Sequence, residues 1–300
     1  MIAPPAWLRG SITPLITPFR NGAVDLDTYA RLVERHIAQG GHGVLVNGTS
    51  AEPSTLSVEE RNRLVQTAVA AAAGRTPVVA ATGSQSQAET EALTEFATGA
   101  GADALIVVTP YYIRPPQRGL VRYYQELGRH TDLPLMIYHI PGRASVTIEM
   151  DSLHAIADTT PTLVGMKHAS AELGLVSDCL AEFGADFRIF VGLEELSLPM
   201  LALGACGVMN AVGNLVPGRI ADLCDLMAAG DLSRARGLHY QLLELNRAVF
   251  WDTNPIPIKY LAKRLGIIPN NEHRLPMAPA TPELERRLDA LLEATGLTGD

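Results

Sequence analysis

Lys167 stands in the apolar run Leu163-Val164-Gly165-Met166-Lys167-His168-Ala169, which has the length of a buried strand. Carrying an ammonium out of water is costly unless the group is paired or gives up its proton. A lysine in such a run is expected to have a lowered pKa, and a neutral amine is a nucleophile that forms Schiff bases with carbonyl substrates. The basic residues sharpen the choice. Of 24 Lys plus Arg only three are Lys, at 167, 259 and 263, so the rarer type occupies the place where a guanidinium could not deprotonate. The alternative is a strand-end lysine whose stem covers apolar neighbours while its charge reaches water.

Other reactive side chains follow apolar runs in the same manner. Asn47-Gly48-Thr49-Ser50-Ala51-Glu52 follows one run and Thr109-Pro110-Tyr111-Tyr112 another. Tyr138-His139-Ile140-Pro141-Gly142-Arg143 ends a third, and Gly192-Leu193-Glu194-Glu195 a fourth. Hydroxyls, phenols, an arginine and an amine would therefore converge on one face if the runs were parallel strands. Tyr138 and Lys167 would lie on neighbouring strands at one level. A phenol hydrogen-bonded to other hydroxyls can carry the protons that Schiff-base chemistry has to move. No His/Asp/Glu cluster has metal-ligand spacing.

The elements that must position these groups alternate along the chain. Apolar runs at 11–19, 43–47, 77–81, 104–109, 133–140, 163–168, 187–192 and 207–211 read as strands. Segments of helical periodicity lie between them, one opened by the capping box Ser57-Val58-Glu59-Glu60. Continuous Val/Ile/Leu runs joined by helices imply a parallel sheet buried on both faces. Eight strand–helix units close most simply as an α/β fold of the (β/α)8 TIM-barrel type, over residues 1–230, with chemistry at the carboxyl ends of the strands. Residues 231–300 read as a C-terminal helical extension packed on that barrel. An open doubly wound sheet is the other arrangement, but no Gly-x-Gly-x-x-Gly follows any strand.

Composition excludes several classes. With 300 residues, 47% hydrophobic and a formal net charge of -8, the chain has a large core and no basic run, which argues against nucleic acid and anionic membranes. Cys179, Cys206 and Cys224 are odd in number and read as core thiols of a reducing compartment. No signal or membrane-spanning stretch stands out, so a cytoplasmic location is expected.

Five ordered motifs, Gly48-Thr49-Ser50-Ala51-Glu52, Thr109-Pro110-Tyr111-Tyr112, Tyr138-His139-Ile140-Pro141, Gly165-Met166-Lys167 and Asn254-Pro255-Ile256-Pro257-Ile258-Lys259, resemble those of the dihydrodipicolinate synthase / N-acetylneuraminate lyase family. The resemblance implies a lyase in which Lys167 forms a Schiff base with pyruvate or a related 2-oxo acid, with no further cofactor and no metal. It implies that Tyr138 moves protons, with Thr49 and Tyr112 completing a relay, Tyr112 reaching across an interface of a homotetramer built as a dimer of dimers. Gly48, Thr49 and Ser50 would hold the pyruvate carboxylate through backbone donors. Arg143 would bind the carboxylate of an aldehyde such as aspartate semialdehyde, and Gly192 and Met209 would complete the substrate-binding set. A surface ion pair is the other use of Arg143.

Several positions depart from the synthase pattern: His139 for Asn, Ile113 for Asn, Ala51 for Gly, His168 for Glu and Leu193 for Asp. His139 and His168 are therefore pocket donors for another aldehyde or hydroxy acid, or structural. The departures keep open an aldolase or dehydratase of 2-keto-3-deoxy sugar acids, or a catabolic hydratase-aldolase. A barrel that binds a 2-oxo acid without turning it over is the reading outside enzymes, and the intact set of Lys167, Tyr138, Thr49 and Tyr112 counts against it. Pro53, Val58 and Arg61 occupy positions resembling the lysine feedback site, where inhibited synthases keep small or imidazole side chains. Lysine is expected to inhibit weakly or not at all; a full response at sub-millimolar lysine in an initial-rate titration would overturn this.

Overall fold

All eight apolar runs form strands in the computed structural model, which describes residues 1–297. They are β1 (Gly10–Pro14), β2 (Gly43–Val46), β3 (Val78–Ala81), β4 (Ala104–Val108), β5 (Leu135–His139), β6 (Leu163–His168), β7 (Arg188–Val191) and β8 (Gly207–Val208). Each is parallel to its neighbours in sequence, and β8 pairs with β1 to close the barrel. The fold is the expected (β/α)8 barrel.

Helices α1 (Leu26–Ala38), α2 (Val58–Ala72), α3 (Gln87–Gly99), α4 (Gln117–Leu127), α5 (Met150–Thr159), α6 (Leu173–Phe183), α7 (Ser197–Leu203) and α8 (Pro217–Ala228) follow the strands. The capping box opening α2 is formed on both sides, Ser57 accepting from the Glu60 N–H and Glu60 accepting from the Ser57 N–H. Three further helices, α9 (Leu232–Ala248), α10 (Ile256–Arg264) and α11 (Pro282–Thr295), add Leu242, Ile258 and Leu288 to the core outside the barrel.

Some boundaries differ from the sequence reading. The first strand ends at Pro14 instead of reaching Phe19, since Pro14 and Pro18 bring no N–H to a ladder; Phe19–Arg20 pairs instead with Ala23–Val24 in a small hairpin. The last strand pairs only over Gly207–Val208 before a 3-10 turn at Ala211–Asn214. A four-residue helix, Pro141–Ala144, falls where no element is expected and carries Arg143. Among the described residues no helix is long and apolar enough to cross a membrane.

Alternation along each strand sends one set of side chains into the barrel and the other under the helices. In β5, Leu135 and Ile137 face the helices while Met136 and Tyr138 face inward. β6 starts in the same phase, with Leu163 outside and Val164 inside, yet Met166 is outside again. The ladder shows why: Leu135 pairs with Leu163 but Met136 pairs with Gly165, so β6 carries one extra residue at this point. The bulge reverses the phase. Strict alternation from Val164 would put Lys167 under the helices; with the bulge it enters the barrel directly opposite Tyr138.

Gly165 is required by the same feature, because a Cβ there would lie 2.0 Å from the carbonyl oxygen of Arg188 on β7. Backbone meets backbone, so no side-chain movement relieves the clash. Gly165→Ala is expected to cost about 3 kcal/mol and to lower the urea midpoint; an unchanged midpoint would show that the strands accommodate a Cβ at the bulge.

Candidate active site

At the carboxyl ends of the strands lies a cavity of about 230 Å³. Lys167 and Tyr138 form its floor, and Thr49, Ser50, Arg143, Gly192 and Met209 are also in its wall. Lys167 is 3% exposed, so its amine does not reach the outer surface as a strand-end lysine would allow. Its Nζ sits 4.3 Å from the centroid of the Tyr138 ring, and the Tyr138 hydroxyl lies 3.2 Å from Thr49 Oγ1. A primary amine, a phenol and an alcohol are thus in sequence. Gly192 makes the room, since a Cβ there would come 2.9 Å from Lys167 Cε.

Thr49 and Ser50 belong to a tight turn after β2. The turn begins in extended backbone at Gly48, makes a 3-10 helix over Thr49–Ala51 and ends at Glu52 in the left-handed region, φ 57°. Ala51 donates to the Gly48 carbonyl and Glu52 to that of Thr49, while the leading N–H groups of a 3-10 turn have no partner within it. Gly48 itself is not part of the cavity wall. A larger outer groove of about 680 Å³, with Asp222, Asp225 and Arg234 in its wall, contains none of the residues singled out from sequence.

Phe250, Asn254 and Glu194 are among the wall residues to which the sequence reading gave no role. Phe250 and Asn254 come from the segment between α9 and α10, so the C-terminal helices close one side of the cavity. Asn254 Nδ2 donates to Ser50 Oγ at 3.0 Å. Glu194 follows β7 and is 1% exposed; its Oε1 accepts from the Ala211 N–H at 2.6 Å, and its Oε2 is buried without a partner. Burial pushes the Glu194 carboxyl up to about 7, against the pull of the Ala211 N–H and of Lys167. Its place directly after an apolar run was the available signal.

Tyr112 is 86% exposed and does not line the cavity of its own chain; its backbone lies in the left-handed region, φ 72°. Arg143 is exposed at the cavity mouth and pairs with no carboxylate among the described residues, so the surface ion pair is absent. His139 and His168 are not pocket donors: alternation sends both behind the strands, where they are fully buried. Their Nδ1 atoms are 3.1 Å apart, and His168 Nε2 lies 3.0 Å from the Glu172 carbonyl. Burial holds both rings below the usual imidazole range, His139 to about 4, so they are neutral. A carbonyl only accepts; His168 therefore donates from Nε2 and its Nδ1 receives the His139 Nδ1–H.

Among the described residues no group of three His, Cys, Asp or Glu could hold a metal ion. Cys179, Cys206 and Cys224 are free thiols.

Known proteins match this chain over nearly its whole length. The sequence profile of the dihydrodipicolinate synthetase family matches residues 7–295. A 4-hydroxy-tetrahydrodipicolinate synthase of Thermus thermophilus is 47% identical over 290 residues, 96% of this chain and 97% of that protein. The enzyme of the same name from Oleidesulfovibrio alaskensis is 38% identical over 288 residues, 96% and 98% of the two chains. The crystal structure of dihydrodipicolinate synthase from Aquifex aeolicus superposes with a TM-score of 0.95 at 37% identity, covering 97% of this chain and 99% of that one. Sequence and overall shape are thus matched along nearly the whole chain, and the chain belongs to the dihydrodipicolinate synthetase family.

Proposed function

We propose that this chain is a class I lyase that condenses pyruvate with a small aldehyde through a Schiff base on Lys167. The activity of its relatives, 4-hydroxy-tetrahydrodipicolinate synthase, is the form we assign, with aspartate semialdehyde as the aldehyde. The observation that carries the reading is the line from Lys167 Nζ, 4.3 Å over the Tyr138 ring, to Thr49 Oγ1, 3.2 Å from the Tyr138 hydroxyl. The amine attacks the keto carbon; loss of water leaves an imine whose positive nitrogen accepts the electron pair as the neighbouring carbon loses a proton. The resulting enamine adds to the aldehyde carbon, and hydrolysis returns the amine. Tyr138 carries protons to and from these positions and exchanges them through Thr49.

The residue 48–52 turn holds the pyruvate carboxylate by its N–H groups and Ser50, while the unpaired Arg143 fork receives the carboxylate of the aldehyde. Gly192 and Met209 shape the pyruvate end. Tyr112, too exposed to serve its own chain, reaches into a neighbour's site in a homotetramer. Because the lysine itself supplies the electron sink, the reaction needs no cofactor or metal, and we place the enzyme in the cytoplasm.

Borohydride reduction in the presence of pyruvate is expected to add one pyruvate-derived mass to Lys167, detected by mass spectrometry and absent from Lys167→Ala. Tyr138→Phe is expected to lower kcat at least about a hundredfold while the adduct still forms. No adduct with pyruvate or any other 2-oxo acid would leave a barrel that binds without reacting.

Glu194 gives a pH signature of the same site. The native carboxyl holds its proton up to about pH 7, whereas its ordinary value is 4.5. The folded state therefore binds the proton that the unfolded state has released, and stability falls as pH rises through this window, by about 3 kcal/mol in all. Glu194→Gln keeps an acceptor for the Ala211 N–H and removes the charge. Its stability relative to the wild type is expected to rise between pH 5 and pH 7.5 in urea titrations; parallel curves would mean that Glu194 is ionised throughout.

A further inference from the structure

The motif Asn254-Pro255-Ile256-Pro257-Ile258-Lys259 has no part in the chemistry above, yet its polar ends reach the anion-binding turn from more than 200 residues away. Lys259 is 0% exposed. Its Nζ donates to Glu52 Oε1 at 2.8 Å and to the Glu272 carbonyl. The other oxygen of Glu52 accepts from His273 Nδ1 at 3.0 Å. Side-chain exposure across this set is 0% for Lys259, 1% for Glu52 and 0% for His273. Lys259 Nζ and the Arg274 guanidinium also cover the Phe19 ring, at 4.4 and 4.6 Å from its centroid.

What these contacts hold is an unfavourable backbone. The turn is bracketed by two residues with side chains in the left-handed region, Asn47 at φ 60° and Glu52 at φ 57°. Such conformations persist only where the surroundings over-determine them. Each bracket is fixed by a buried side chain: Asn47 Nδ2 donates to the Arg61 carbonyl at 2.9 Å, and Glu52 is gripped by Lys259 and His273. Between the brackets lie Gly48, Thr49 and Ser50, and the Ser50 hydroxyl is itself fixed by Asn254. A buried charge pair is weak as a source of stability but specific as a register device, because either charge alone is uncompensated.

We propose that Glu52, Lys259 and His273 are positioning residues that hold the residue 48–52 turn in its anion-binding shape. The C-terminal helices thereby set the affinity of the site for the carboxylate of a 2-oxo acid. This rests on the Schiff-base reading given above.

The test is borohydride trapping on the full-length enzyme as a function of pyruvate concentration, alongside thermal unfolding. Lys259→Met keeps the length of the side chain and removes its charge; the pyruvate concentration for half-maximal trapping is expected to rise about tenfold. Glu52→Gln/Lys259→Met removes both charges, so its melting temperature is expected to recover toward the wild type while the trapping midpoint stays raised. That pair of readings decides the matter even where Lys259→Met alone fails to fold. Arg264→Ala, which breaks the Asp289 pair on the outer face of α10, is expected to leave the midpoint unchanged. A wild-type midpoint in folded Lys259→Met, or in the double variant once its stability is regained, would overturn the positioning role. No adduct in the wild type would overturn the Schiff-base reading and this one with it.

Discussion

One extra residue in β6 decides what stands inside this barrel. A strand has only two faces, and a lysine three positions beyond an inward valine belongs on the wrong one. The bulge at Gly165 moves the second half of the strand by one step, so Met166 packs against helices and Lys167 enters the cavity opposite Tyr138. Other features of the site follow from that entry. Gly192 lacks a side chain because the Lys167 stem occupies its space, and Gly165 lacks one because β7 crosses close behind. The Lys167 side chain is aimed by backbone geometry, which is stiffer than any rotamer preference.

The molecule treats its buried ionisable side chains in three different ways. Lys259 is matched by a carboxylate and a carbonyl, the arrangement that keeps an ammonium charged away from water even though burial lowers its pKa. Glu194 has one oxygen bonded and one bare, and keeps its proton instead of its charge. Lys167 has neither carboxylate nor carbonyl at hydrogen-bond distance among the described residues; an aromatic face is its neighbour. Two of the three lysines in the chain are therefore buried, one tied down by charge and one facing the cavity.

The sequence made the barrel legible because parallel strands buried on both faces are continuous apolar runs, and all eight were readable as such. Tyr138, Lys167 and Thr49 were legible for a related reason: polar groups that end apolar runs have nowhere to go but the carboxyl rim. The phase of each strand was not. Nothing in Leu163-Val164-Gly165-Met166-Lys167 announces a bulge except its glycine, and simple alternation along that run points Lys167 the other way. Partnerships across long separations were also hidden. The ties of Glu52 to Lys259 and of Asn254 to Ser50 depend on how the last helices return to β2, which local periodicity does not encode. His139 and His168 were open to two readings because their residue types suit a pocket, and strand alternation settled them behind it.

The histidine pair has a consequence for how this chain can change. His139 and His168 follow Tyr138 and Lys167 directly, so the two strand ends are joined at one level on both faces: by the contact of Tyr138 with Lys167 in front and by a hydrogen bond behind. The bond has a direction, running from His139 through His168 to the Glu172 carbonyl, and each ring supplies what the other lacks. Replacing one alone strands a buried donor or acceptor of the other. The two positions therefore act as one unit, tolerating a change only when both are exchanged for another complementary pair, although neither lines the cavity.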